Sequence, residues 1–216
     1  MDITYLGHSS FRLKGKTASV VIDPFDSKAV GLPFPKVSAE IVTISHDHED
    51  HNKAELVKDV RKVISGPGEY EINGVSIVGI ASYHDDTKGT KRGKNTIYMI
   101  EMDGLRIVHL GDLGHKLSEK FIEKVGSVDV LIVPVGGEYT IGAVRATELT
   151  RLIEPSIIIP MHFKVPNLNP ATFSKLAPVE PFLTQIGLPV EKLKKLTITN
   201  RAPEEEQKVV LLETKQ

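Results

Sequence analysis

The stretch Ile41-Val42-Thr43-Ile44-Ser45-His46-Asp47-His48-Glu49-Asp50-His51 decides how this chain is read. Residues 41–44 are all β-branched, as in a buried strand. Residues 46–51 place three imidazoles and the carboxylate of Asp50 in the pattern H-x-H-x-D-H. Neutral imidazole and ionised carboxylate are ligands that zinc-class metals accept near neutral pH. A solvated turn or helix start would account for Asp47, Glu49 and Asp50, but gives no reason for three histidines. Beyond the motif, Leu56, Val57, Val60 and Val63 recur at helical spacing. That spacing predicts a helix over 52–63 and sets the motif in a strand-to-helix loop, where α/β proteins gather their ligands.

Composition narrows the field around that motif. With 216 residues and 40% apolar content the chain can bury a full core, and no low-complexity linker divides it, so residues 1–216 read as one domain. A formal charge of -1 supplies no global field for nucleic acid or an anionic membrane. Cysteine is absent, so a metal site has to be built from His and Asp. The amino-terminal Met1-Asp2-Ile3-Thr4-Tyr5-Leu6-Gly7 lacks the features of a secretory signal, and no stretch approaches the ~20 apolar residues of a membrane span. A cytoplasmic protein without a membrane partner is expected.

Turn signals at Lys14-Gly15-Lys16, Asn73-Gly74 and Asp103-Gly104 divide the first ~110 residues into strands and hairpins. Further on, helical patterns over Glu119 to Val125 and Ala143 to Ile153 alternate with the apolar runs Val128 to Val135 and Ile157 to Ile159. Asn169-Pro170 reads as a helix cap followed by proline at the first helical position. Thr197 to Leu212 reads as a terminal hairpin around a polar loop over 200–207. Mixed strands with packed helices indicate an α/β sandwich.

Three more candidate ligands stand where strands give way to loops. They are His84 after Ala81-Ser82-Tyr83, Asp112 after Leu110-Gly111, and His162 after Pro160-Met161. This ordered set, with Gly7-His8-Ser9-Ser10-Phe11, Ile22-Asp23-Pro24-Phe25 and Val135-Gly136-Gly137-Glu138-Tyr139-Thr140, resembles the metallo-β-lactamase superfamily over nearly the whole chain. Within it the likeness is to the compact branch containing ascorbate-6-phosphate lactonase and related zinc-dependent hydrolases. The resemblance implies an αβ/βα four-layer sandwich with its site along one edge of two sheets.

It also implies roles. His46, His48 and His84 would hold one metal; Asp50, His51 and His162 a second; Asp112 would bridge them. Two Zn2+ ions suit a His and Asp set without thiolate, and manganese or iron accept the same ligand types. The redox branch of the superfamily usually carries Glu where His48 stands, which argues against a di-iron centre. Two zinc ions would supply hydroxide at neutral pH and stabilise a developing oxyanion, with Asp50 and Asp112 as the catalytic carboxylates.

Other residues admit two readings. His8, in a Gly-His-Ser-Ser turn, and His115, shortly after Asp112, are candidates for substrate contact or plain turn residues. His109 lies in an apolar strand and reads as a core imidazole. The loop Lys88-Gly89-Thr90-Lys91-Arg92-Gly93-Lys94 carries four cations. Folded over the cleft, Arg92 would pair with phosphate oxygens, as would Lys164; a solvated loop is the competing reading. Asp23 reads as a partner of a ligand or a turn former.

The favoured function is hydrolysis of a small ester, lactone or phosphodiester, possibly one that is phosphorylated. The alternative is a metal-dependent nuclease or phosphodiesterase acting on nucleic acid. It suits the basic loop, but the net charge weakens it. A non-catalytic metal-binding protein is a third reading, and a native antibiotic lactamase is disfavoured because no export signal is seen. Relatives of the lactonase form oligomers, so a homo-oligomer is compatible with the resemblance.

Overall fold

The structure is a computed structural model that describes residues 1–199 and 206–214. Strands β1 (Asp2–Gly7), β2 (Ser10–Lys14) and β3 (Ser19–Ile22) open the chain, followed by α1 (Ser27–Val30), β4 (Val37–Ser38) and β5 (Ile41–Ile44). A 3-10 turn (Ala54–Leu56), β6 (Val57–Lys58) and β7 (Lys62–Ser65) come next. Then β8 (Gly68–Ile72), β9 (Val75–Tyr83), β10 (Lys94–Met102) and β11 (Leu105–His109) form an antiparallel meander. The remainder is α2 (Glu119–Val125), β12 (Val130–Pro134), α3 (Ala143–Ile153), β13 (Ile157–Met161), α4 (Pro170–Phe173), α5 (Glu180–Ile186), β14 (Val190–Leu193), β15 (Leu196–Thr197) and β16 (Lys208–Leu212).

Two sheets face each other. One runs β15-β1-β2-β3-β5-β7 and the other β14-β16-β13-β12-β11-β10-β9-β8; β4 and β6 form a small third pair. Between the large sheets lies a core in which Ile3, Phe11 and Ile22 share one cluster with Ile77, Ile100 and Ile107. The outer face of the second sheet, through Val108, Leu131 and Val133, is covered by Phe121 of α2, Leu149 of α3 and Phe182 of α5. Strands β12 and β13 are therefore apolar throughout, because both of their faces are buried. The outer face of the first sheet, through Leu6, Val21 and Val42, packs on Val37, Ala39 and Val57, so its cover is mostly loop and short strand. The α/β sandwich expected from the sequence is present, with its helical layer thicker on one side.

Two sequence expectations are corrected. No helix spans 52–63: after the 3-10 turn, β6 pairs parallel with β4 and β7 pairs parallel with β5. Asp59 lies between them with φ 62°, which interrupts any helix. The terminal hairpin is not formed either. Its first arm, β15, pairs with β1 in the first sheet, whereas β16 runs parallel to β13 and β14 in the second. Most of the polar loop proposed between them lies outside the described residues.

Strands β5, β9, β11 and β13 all end at the same edge of the sandwich, and backbone bonds lock the two sheets together there. Thr96 N–H donates to Ser45 O at 2.8 Å, and His162 N–H donates to His8 O at 3.1 Å. The Tyr98 hydroxyl, on β10, donates to Ile44 O on β5 at 2.8 Å. Among the described residues no helix is long and apolar enough to cross a membrane.

Candidate metal centre

Each candidate ligand leaves the end of a strand at the locked edge. Residues 46–51 turn back directly after β5, held by His51 N–H to His48 O at 2.9 Å. His84 follows β9, Asp112 follows β11 after Leu110 and Gly111, and His162 follows β13. His46, His51, His84, Asp112 and His162 are buried, Asp50 is half-buried and His48 is exposed.

The side chains converge as two sets. His46, His48 and His84 offer ligand atoms within 4.8 Å of one another, and so do His8, Asp50, His51 and His162. Asp112 stands between them, with Oδ2 at 3.3 Å from His84 Nε2 and 3.2 Å from His162 Nε2, and Oδ1 at 3.4 Å from His51 Nε2. His46 Nε2, His51 Nε2 and Asp112 Oδ1 are buried without a hydrogen-bond partner among the described residues. Each such atom costs about 1–3 kcal/mol unless something satisfies it, and the same three residues again converge within 4.8 Å. A cation bound by them would offset that cost, so the donor set fits a metal.

Asp23 fixes how the imidazoles are presented. Its Oδ2 accepts from His51 Nδ1 at 2.8 Å and from Ser45 Oγ at 2.6 Å, and its Oδ1 accepts from Ser45 N–H at 2.8 Å. With its proton committed to Asp23, Ser45 Oγ can only accept from His46 Nδ1, 2.9 Å away. The relay therefore places protons on Nδ1 of both His46 and His51, leaving both Nε2 lone pairs for a metal. Asp23 thus pairs with two of the candidate ligands, His51 directly and His46 through Ser45. Asn95 supports Asp112 in the same way: its Oδ1 accepts from Asp112 N–H at 3.0 Å, and its Nδ2 donates to Leu110 O and Ser82 Oγ.

The electrostatics favour positive charge in the middle. Burial lowers the His51 pKa, but the carboxylates of Asp112, Asp50 and Asp23 outweigh it and hold the imidazole well above its ordinary value. Burial raises Asp112, yet His162 and His51 hold its carboxyl well below the usual range. Burial together with His51 pushes His46 down, and burial with His84 lowers His48. A field that favours a proton between Asp112 and Asp50 also favours a metal cation there.

Backbone strain concentrates at this edge. His8 (φ 55°), Asp23 (φ 46°) and His162 (φ 50°) adopt the left-handed region that non-glycine residues rarely enter, as functional sites often require. Gly111 precedes Asp112 with φ +55°, and a Cβ there would meet Asn95 Oδ1 at 2.3 Å. Only glycine lets the chain pass so close to the residue that supports Asp112.

The remaining candidates separate clearly. His8 is buried against the site, its Nε2 3.1 Å from Asp50 Oδ2, and its ring lies 4.3 Å from that of His162. Burial and the neighbouring His162 lower its pKa to about 4. His115 has both ring nitrogens engaged by backbone: Nε2 accepts from Tyr83 N–H and Nδ1 donates to Lys116 O. Lys164 is exposed and donates to Ser174 O. Arg92 is half-buried over the ring of Tyr139. His109 is a satisfied core imidazole, donating to Ser9 O and accepting from Gly111 N–H. Sequence reasoning missed Asn95, whose only local signal was an amide opening an apolar strand.

Residues 2–162 match the model of the beta-lactamase superfamily domain. A solved protein from Thermotoga maritima, described as a Zn-dependent hydrolase of the metallo-β-lactamase superfamily, is 39% identical over 99% of each chain with a TM-score of 0.83. The chain belongs to the metallo-β-lactamase superfamily. Among relatives in sequence, a protein from Pyrococcus abyssi named a metal-dependent hydrolase is 28% identical over 207 residues, covering 82% of this chain and 92% of that protein. A protein from Parabacteroides distasonis, described as a metal-dependent hydrolase, has a TM-score of 0.67 over 99% of this chain and 93% of its own. At 20% identity it shows the superfamily fold alone.

Proposed function

We infer that residues 1–216 form one domain with a binuclear metal centre, and that it hydrolyses a small ester, lactone or phosphodiester. The observation that carries this reading is the convergence of two ligand sets on one carboxylate, Asp112, with unsatisfied buried nitrogen and oxygen atoms between them. One ion would be held by His46, His48 and His84, the other by Asp50, His51 and His162, with Asp112 shared. Zinc fits a set of imidazoles and carboxylates without thiolate. Ions of this class, when bound, acidify water and polarise a carbonyl or phosphoryl oxygen.

The chain's own residues do the positioning. Asp50 is held by His8 at 3.1 Å and lies 3.5 Å from His51 Nε2, so its carboxylate is fixed where it can orient a water and take its proton. The Asp23–Ser45 relay engages Nδ1 of His46 and His51 from behind, so that Nε2 of each imidazole faces the centre. His48, the exposed ligand, marks the side from which substrate enters. The described protons leave no free imidazole at His115, so a leaving group has to be protonated by solvent or by Asp50 after it has taken up a proton.

The test is turnover by the zinc-loaded protein of chromogenic esters, lactones, bis(p-nitrophenyl) phosphate and a labelled RNA, before and after chelation. Chelator-sensitive hydrolysis of a small substrate supports the reading. Preferential cleavage of RNA would replace it with the nuclease alternative, and turnover that survives complete metal removal would contradict it.

A further inference from the structure

The basic loop after His84 is built around a buried acid. Asp85 is 3% exposed, and its carboxylate accepts five hydrogen bonds from the loop that follows. Oδ1 takes Thr87 N–H, Thr87 Oγ and Gly89 N–H at 2.8, 2.8 and 2.9 Å; Oδ2 takes Lys91 N–H and Arg92 N–H at 3.0 and 2.7 Å. The loop closes on the site through His84 N–H to Gly93 O at 3.1 Å. Its path is therefore fixed by backbone bonds and needs no help from its cationic side chains.

Those side chains differ in one respect. Lys88, Lys91 and Lys94 are exposed, whereas Arg92 is half-buried with its guanidinium carbon 5.3 Å from the Tyr139 ring centroid. Tyr139 is itself pinned, donating its hydroxyl to Thr172 O at 2.6 Å and packing edge-on against Phe173 at 6.2 Å. Phe173 touches His8 at 4.8 Å and His162 at 6.2 Å between ring centroids. Arg92 thus starts beside His84 on one flank of the centre and ends on an aromatic wall that backs onto His162 on the other. Among the described residues its guanidinium has no carboxylate and no hydrogen-bond acceptor, although five N–H donors are available. Stacking on a ring satisfies the face of a guanidinium and leaves its edge free, and that edge pairs with two oxygens of an anion.

We propose that Arg92, held by Asp85 and Tyr139, is the specificity residue of the cleft and binds an oxyanion on the substrate at a distance from the bond that is cleaved. The substrate is then a small molecule carrying a phosphate or a carboxylate in addition to its scissile group. This rests on the cleft being a hydrolase site, but the binding step is separable from turnover.

The experiment measures binding to the zinc-loaded protein by calorimetry, with butylphosphonate, pentanoate and pentanol as probes, none of which has a hydrolysable bond. Arg92→Ala is compared with Arg92→Lys and with Lys91→Ala, which removes an equal charge from an exposed neighbour. A charge-assisted pair is expected to tighten one anion over pentanol by about ten- to a hundredfold, with Arg92→Ala abolishing that margin, Arg92→Lys retaining part of it and Lys91→Ala retaining all of it. Whichever anion responds names the group, phosphate-like or carboxylate-like. Anion affinity unchanged in Arg92→Ala, or lost equally in Lys91→Ala, overturns the proposal, since metal or bulk charge would then be the receptor. An Arg92-dependent margin in a protein that hydrolyses nothing would sink the hydrolase reading and leave this one standing.

Discussion

Replacing Asp23 by Asn removes almost no volume and tests whether the ligand imidazoles are set from behind. The carboxylate accepts from three donors, two on Oδ2 and one on Oδ1. An asparagine has one acceptor oxygen, so its amide nitrogen has to face one side of that arrangement. Turned toward His51, it opposes the Nδ1 proton and drives it to Nε2, the atom required by a metal. Turned toward Ser45 N–H, it leaves two buried donors facing each other. Either choice costs about 1–3 kcal/mol. Losing such a partner weakens metal affinity by about 10–100-fold, or roughly 1.4–2.7 kcal/mol. Because the relay reaches His46 through Ser45, both ligand sets should weaken. The assay is competition for zinc between the protein and a chromophoric chelator, with thermal melting of the metal-free variant as the folding control. Wild-type zinc affinity in a folded Asp23→Asn protein would refute the relay.

Other consequences are as direct. Gly111→Ala forces a Cβ to within 2.3 Å of Asn95 Oδ1 in a left-handed conformation, and should cost about 1–3 kcal/mol in urea unfolding together with zinc occupancy. Tyr98→Phe deletes the hydroxyl that donates to Ile44 O and accepts from Gly66 N–H; a loss of about 1–2 kcal/mol with zinc content unchanged is expected. Asp85→Asn leaves one oxygen for five donors, so hydrogen exchange at Gly89, Lys91 and Arg92 should quicken. Burial raises the Asp85 pKa, but the Arg92 and Thr87 bonds outweigh it and hold the carboxyl below its ordinary 3.8. A depressed carboxylate stabilises above its unfolded value and fails as pH drops through the folded one. Protection of the wild-type loop should therefore persist from neutral pH to about pH 4 and disappear only below that.

What could be read from the sequence was local. Asn73-Gly74 and Asp103-Gly104 both take positive φ and close the β8–β9 and β10–β11 hairpins, because few other residues tolerate that backbone. The H-x-H-x-D-H cluster was legible because ligand chemistry is written in residue type. The helix expected over 52–63 failed because Val57, Val63 and Ile64 are β-branched residues claimed by parallel neighbours, leaving Leu56 and Val63 more than 40% exposed. Strand β16 was misassigned for a related reason: its partners β13 and β14 are not its chain neighbour β15, and no periodicity encodes that pairing. His8 and Asp23 were legible only as residues with two readings each. His8 meets Asp50 from 42 residues away and Asp23 meets His51 from 28, so neither role exists until the sheets dock.

Two ligand sets that share Asp112 would hold two ions, and the number of ions bound can be counted. Metal-free protein is loaded with zinc, gel-filtered and analysed by mass spectrometry as wild type, His48→Ala and His162→Ala. About two equivalents are expected in the wild type and about one in each variant, with the proteins still folded. One equivalent in the wild type, or a single substitution that empties the centre of a folded protein, would contradict the shared centre.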